Sequence, residues 1–353
     1  MRVLPSGVRS LVFGALMVLP MASAISAYGQ HVDGLPSYHP AVTVSGVIRV
    51  WGHGNRSNHY LGALLRSLDA GFRKYQPSAS LEDGMLGNAS AIGGLYTGAA
   101  DVALIDRRVM AIELDGYQQV FGYDPLEISV ATGNLKVPNH SPALVIFVNK
   151  NNPLRQISLA QLDAIFGADH RRSDHNLREW GGLGLTGMWA SRRITPYGFG
   201  IARAQSQTFE RLVMKGSQKW NCDLHEFSDI RDEPKRTKRA GQAILDALAK
   251  DPGGIAFSTF EFRNSNVRAI PVSVEPNGRP VMPTEATLQS RAYPLTQTIS
   301  VFVNRPPGKP LDPRVREFLS FVLSREGQRI IQEDGGYLPL TSDVVTQERR
   351  KIQ

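Results

Sequence analysis

The chain has 353 residues, 42% of them hydrophobic and 8% aromatic, which is ample apolar material for one large domain or two ordinary lobes and excludes a disordered chain. Its 40 Lys and Arg against 32 Asp and Glu leave a net charge of +8, an excess that bears on solubility and anionic partners and does not by itself indicate nucleic acid. The single cysteine, Cys222, excludes an intramolecular disulfide framework and any Cys-rich zinc or iron–sulfur site.

The first 30 residues read as an export signal. Arg2 and Arg9 form a positive start, Leu11 to Pro20 an apolar stretch, and Ala22-Ser23-Ala24 a small-residue cleavage site. A membrane anchor is the competing reading, but Pro20 interrupts the run and Ser23 follows too soon for the roughly 20 apolar residues that a spanning helix needs. The mature chain is expected to begin between Ile25 and His31, with no thiol near the cleavage site to carry a lipid. Loss of Arg2 and Arg9, and of no acid, lowers the net charge from +8 to +6.

After a polar linker, Val47 to Trp51 reads as a first strand and Gly52-His53-Gly54-Asn55 as a tight loop. Leu61, Leu64, Leu65, Leu68 and Phe72 then recur at helical spacing. Gly87 to Leu95 is a small-residue loop running into a helix N-terminus, where unpaired backbone N–H groups favour an anion. Asp101 to Asp106 is a short buried strand ending on a carboxylate. Strands around Ile128 to Ala131 and Ala143 to Asn149 precede a helix at Leu159 to Phe166 capped by Ser158.

From His170 to Met188 the pattern is irregular. It contains a formal G-x-G-x-x-G match at Gly182 to Gly187, but this neither follows a strand nor opens a helix, so it is a glycine loop. A strand at Arg193 to Tyr197, helices at Ala204 to Met214 and Ala240 to Lys250, strands at Gly253 to Phe257 and Ile299 to Asn304, and a helix from Val315 to Asp334 follow. Strands alternating with helices imply parallel α/β sheets. The basic run Lys235 to Arg239 reads as a solvated loop, since it has no interleaved aromatics.

The order of motifs resembles the phosphate-binding protein family of periplasmic ABC importers, as a divergent member. The C-terminal stretch carries the resemblance most specifically: Tyr293-Pro294-Leu295, Val301 to Asn304, Pro307 to Leu311, Glu317-Phe318-Leu319, Val322 to Gln328 and Gly336 to Leu340. Upstream, Gly98 to Arg107, Val148 to Leu154, Leu162 to Phe166, Trp180 to Gly184 and Asp251 to Ile255 also match, so the likeness runs from Ile48 to Leu340.

The resemblance implies an α/β, two-lobe type II periplasmic binding protein fold. Two hinge strands would cross between the lobes, at Ala143 to Asn149 and near Leu295 to Val303. The expected division is a signal peptide at 1–24, a linker at 25–46, a first lobe from 47–142 and 299–345, a second lobe at 143–298 and a tail at 346–353. It also implies a periplasmic location, a monomer, no cofactor, and as partners a small oxyanion, foremost phosphate, with an ABC permease and ATPase. Nucleic acid is not among the expected partners.

The ligand set that follows is Asn55, Ser57, Asn88, Ser90, Asp106, Arg203 and Gln205. Asn88 stands where the family has a phosphate-binding serine, and its amide can still donate; the family's acidic residue falls on Asp106. The family's second-lobe arginine falls on Phe199 and its Ser-Gly-Thr on Arg203-Ala204-Gln205, so the guanidinium and both hydroxyls are lost while a new arginine appears at 203.

An exported hydrolase is the rival from another class, but the sequence has neither G-x-S-x-G nor H-E-x-x-H, and no second carboxylate is placed to work with Asp106. The pairs His53/His59 and His170/His175 are spaced unlike metal ligands on one helical face and read as loop histidines. A buried carboxylate accepting backbone hydrogen bonds stays open for Asp106 beside ligand binding. A ligand-binding sensor or surface protein without a transport role is the remaining alternative.

Overall fold

The computed structural model describes residues 32–55, 59–135, 137, 143–232 and 236–353. The export signal at 1–24 and candidate Ser57 lie outside them. Ten strands build two five-stranded sheets. The first contains β1 (Gly46–Gly52), β2 (Ala79–Gly84), β3 (Val102–Ile105), β4 (Leu126–Thr132) and β10 (Thr298–Val303), in the order β2-β1-β3-β10-β4. The second contains β5 (Leu144–Asn149), β6 (Thr195–Phe199), β7 (His225–Phe227), β8 (Gly254–Thr259) and β9 (Val267–Ala269), in the order β7-β6-β8-β5-β9.

In each sheet four strands run one way, and the fourth in the order runs against its neighbours on both sides. The sheets are therefore mixed, where helix–strand alternation alone implies parallel ones. The antiparallel fourth strands, β5 and β10, are the first that the chain makes after passing from one sheet to the other. The two passes run side by side: Gly133 N–H donates to Gln297 O at 2.9 Å and Leu144 N–H to Leu295 O at 3.3 Å. The expected crossing stretch Ala143 to Asn149 thus contributes an inner strand of the second sheet.

Burial follows the sequence periods. In β1, Ile48 and Val50 are buried while Val47 faces out, the period of two of a half-covered strand. Helix α1 (Leu61–Phe72) buries Leu61, Leu64, Leu65, Leu68 and Phe72 on one side, against α8 (Pro313–Val322) and α9 (Arg325–Asp334), while α10 (Ser342–Lys351) lies on β4 and joins the same core. Helices α2 (Asn88–Tyr96) and α3 (Ala111–Phe121) cover the opposite face of the first sheet through Ile92, Leu95, Ile105, Tyr117 and Phe302. The second sheet packs against α4 (Leu159–Phe166), α5 (Ala204–Leu212), α6 (Ala240–Leu248) and, by Leu288, α7 (Glu285–Gln289). Ser158 caps α4 as expected, its hydroxyl accepting the Gln161 N–H while the Gln161 side chain accepts from Ser158 N–H.

Four expectations need correction. The single helix from Val315 to Asp334 is two helices. Ser324 ends the first turn-on-turn run and caps α9, its hydroxyl accepting from Gly327 N–H at 3.3 Å. The tail at 346–353 belongs to α10 through Lys351, because buried Glu348 takes the Ser129 N–H at 3.0 Å and Lys351 Nζ at 2.7 Å. The linker is packed from residue 32 onward, with Val32, Leu35, Tyr38 and Val44 buried and Tyr38 Oη donating to Glu317 Oε2 at 2.7 Å. Within the basic run at 235–239, Arg236–Lys238 pairs antiparallel with Ile230–Asp232 as a two-stranded ribbon rather than a loop.

Candidate functional site

Strand β1 lies between β2 and β3, parallel to both. The chain leaves β1 toward one neighbour and returns through α2 to the other, which opens a crevice at the C-terminal ends of β1 and β3. Gly52 ends β1 there. A Cβ at that position would lie 2.1 Å from Leu104 O, so the close approach of the two strands needs glycine. Gly87, just before α2, holds φ at 120°, a conformation that only glycine adopts readily, and its N–H donates to Gly52 O at 2.8 Å. These two glycines bring the end of β1, the start of α2 and the end of β3 together.

Three side chains meet at this junction. Asp106, 4% exposed, receives Asn88 Nδ2 on Oδ1 at 2.8 Å and has His53 Nδ1 2.7 Å from Oδ2. The Asp106 N–H reaches back to Asn88 Oδ1 at 3.4 Å. The hydrogen bond to Asp106 holds the His53 imidazole above the ordinary histidine range, although burial and the nearby Arg107 work against the charge. Helix α2 starts without a side-chain cap, so its first N–H groups lack the usual side-chain acceptor. Ser90 is in its first turn, the hydroxyl donating to Gly87 O at 2.8 Å. The loop beyond Asp106 is fixed by Arg107, which grips Glu113 with two hydrogen bonds of 2.9 and 2.5 Å, and by Glu113 accepting the Met110 N–H at 2.8 Å.

The second sheet repeats the arrangement. Strand β6 lies between β7 and β8, parallel to both, and its C-terminal end leads through Gly200 to the start of α5, with Arg203 at the N-cap. Phe199 is buried against Phe257 with ring centroids 5.9 Å apart, so the position to which the resemblance assigns the family's arginine holds a core contact. Arg203 is ion-paired to Asp229, whose other oxygen accepts the Ala240 N–H at 2.9 Å. Burial raises the Asp229 carboxyl, yet the Ala240 N–H and the Arg203 charge together hold it below its usual range. The Ile201 N–H donates to Glu226 Oε2 at 2.8 Å. Donors at this switch point are therefore engaged by carboxylates of the same chain. Gln205 is half-buried in the first turn of α5.

A cavity of about 740 Å³ separates Met110, Ala111, Ile112 and Leu114 at the start of α3 from Ile201, Gln207, Arg211 and Lys215 around α5. Its charged lining is Glu210, Arg211 and Lys215, so the cations outnumber the carboxylate by one and the wall leans toward anions.

Of the sequence candidates, Asn88, Ser90 and Asp106 come together on the first sheet, and Arg203 and Gln205 sit together on the second. Asn55 lies two residues after His53, where Gly54–Asn55 pairs antiparallel with His59–Tyr60 as a short ribbon rather than a loop. His53 itself, weighed only as a metal ligand beside His59, is a site residue that the sequence reading missed. The signal was its place immediately after a strand bordering the crevice. Asp229 and Glu226 were also missed, and nothing in their spacing marks them. Among the described residues no group of three His, Cys, Asp or Glu side chains is gathered to hold a metal ion.

The model of the PBP superfamily domain matches residues 57–326. The chain belongs to that family. It is 27% identical over 333 residues to the phosphate-binding protein PstS of Pseudomonas aeruginosa, covering 94% of each chain, and 23% identical over 287 residues to protein SphX of Synechococcus elongatus, covering 80% of this chain and 75% of that one. Among solved structures it is similar to PstS from Borrelia burgdorferi, with a TM-score of 0.56 at 14% identity, over 84% of this chain and 100% of that chain. An ABC-type phosphate transport receptor from Vibrio cholerae gives a TM-score of 0.51 at 16% identity, over 82% of this chain and 99% of that chain. The two-sheet α/β architecture is thus the fold of this PBP family. No described helix is long and apolar enough to cross a membrane.

Proposed function

We propose that the protein is an exported, periplasmic binding protein that captures an oxyanion, foremost inorganic phosphate, between its two lobes for delivery to an ABC importer. The observation that carries this is the junction at the end of β1 and β3, where buried Asp106 and the Asn88 amide stand at the uncapped N-terminus of α2. An oxyanion there would receive backbone N–H groups and the favourable end of the helix dipole, while Asp106 would accept a hydrogen bond from an O–H that the ligand still carries. Ser90, Asn55 and Ser57 are proposed to complete the first-lobe contacts.

The lobes are taken as 32–142 with 299–352, and 143–298, closing about the two adjacent passes of the chain. On closure, Arg203 and Gln205 at the start of α5 would meet the anion from the second lobe, Arg203 exchanging part of its Asp229 pairing for the ligand. No bond is made or broken in this role, so the protein is read as a carrier rather than an enzyme, acting as a monomer. Calorimetric titration with phosphate, sulfate, molybdate and small phosphonates tests the proposal. Saturable binding of phosphate supports it; heat from none of these anions overturns it.

A further inference from the structure

We propose that His53 supplies the cation of the first-lobe anion site and makes anion capture depend on its protonation, an inference that rests on the oxyanion reading above. A closed cleft must offset the desolvation of an anion, and a carboxylate facing that anion makes the cost larger. On the second sheet Phe199 is a core residue, and Arg203 must give up part of its pairing with Asp229 before it can meet the anion.

The first sheet has its own charge compensation. His53 Nδ1 sits 2.7 Å from Asp106 Oδ2, directly after β1 and at the mouth of the crevice, with its side chain one-third exposed and Asp106 4% exposed. When the imidazole is protonated, the pair carries no net charge. When the ring is neutral, Asp106 presents its full negative charge to any incoming oxyanion. Among the described residues, the charged groups acting on His53 are Asp106 at the end of β3 and Arg107 next to it. Asn88, on α2, faces Asp106 with a neutral amide. His53 therefore couples the charge of the site to pH, with Asp106 as the group through which it acts.

The test compares the native protein with His53→Gln by calorimetric titration of inorganic phosphate at pH 5.5 and at pH 8.5. The ratio of the two affinities at each pH cancels the titration of phosphate itself. The native protein should bind roughly tenfold more tightly or better than the variant at pH 5.5, the scale of one charge-assisted contact, and nearly equally at pH 8.5. A ratio that is the same at both values overturns the role of His53 and leaves the phosphate reading standing. If phosphate fails to bind but sulfate or a phosphonate binds with the pH-dependent ratio, the phosphate reading falls and His53 keeps its role; if none binds at either pH, both fall. Asp106→Asn provides a second arm: the His53 ring resonances should then titrate at lower pH than in the native protein, and an unchanged midpoint would show that the pair does not form.

Discussion

Replacing Asp106 by asparagine tests the site through both stability and selectivity. The carboxylate is buried and takes Asn88 on one oxygen and His53 on the other. An amide can keep its oxygen toward Asn88, but its NH2 then faces His53, where it meets a donor when the ring is protonated and can be accepted only by the neutral ring. One hydrogen bond to a buried charged group is thereby lost, at about 2 kcal/mol, which corresponds to a fall in Tm of about 4–8 °C for a lobe of this size. The selectivity effect is larger. Phosphate near neutral pH keeps a proton that a carboxylate can accept, whereas sulfate has none and sets its lone pairs against those of Asp106. Sites built around one such hydrogen bond discriminate by about 10⁴-fold. Asp106→Asn should bring phosphate and sulfate to within about tenfold of each other, as calorimetry of both anions on both proteins would read. Equal binding of the two by the native protein, or an undiminished preference in the variant, refutes the reasoning.

Further outcomes follow from neighbouring contacts. Asp229→Asn keeps an acceptor for the Ala240 N–H but removes the charge that holds Arg203; phosphate affinity should rise severalfold in calorimetry, and a loss would place Arg203 off the ligand path. Because His53 is raised in the folded state by Asp106, its contribution to stability is present in full below the ordinary histidine range and is lost as pH rises through the raised value. Melting curves should therefore show Asp106→Asn least stable relative to the native protein at acid pH, with the gap narrowing in base; a gap constant with pH contradicts the pairing. Tyr38→Phe removes the hydroxyl bonded to Glu317, whose side chain is 1% exposed, and should cost about 1.5–3 kcal/mol in denaturant unfolding; no change would mean that segment 32–44 is not part of the folding unit.

Local features were legible because local physics decides them. The leucine spacing of α1, the buried run of β3 and the Ser158 cap need only neighbouring residues. Helix α3 was missed because it buries a single residue, Tyr117, and so has no apolar stripe to read. The break at Ser324 was passed over although Ser324 to Arg329 has no large apolar residue, and α10 was hidden by its polar face. The site was half visible. Gly87 to Ser90 and Asp106 could be found from strand ends and helix starts, but the His53–Asp106 contact joins residues 53 apart in the chain, and only the order of the sheet brings them together. The same holds for Arg203 and Asp229, which meet because β7 pairs beside β6 before the chain turns into α6.

The central claim is that an oxyanion lodges where β1, β3 and α2 meet. A crystal structure of the protein with phosphate tests it most directly. The account predicts density for the anion about 3 Å from the first backbone N–H groups of α2 and from the Asn88 amide, with one anion oxygen at hydrogen-bond distance from Asp106. Phosphate seated away from the ends of β1 and β3, with Asp106 bonded only to Asn88 and His53, would contradict it.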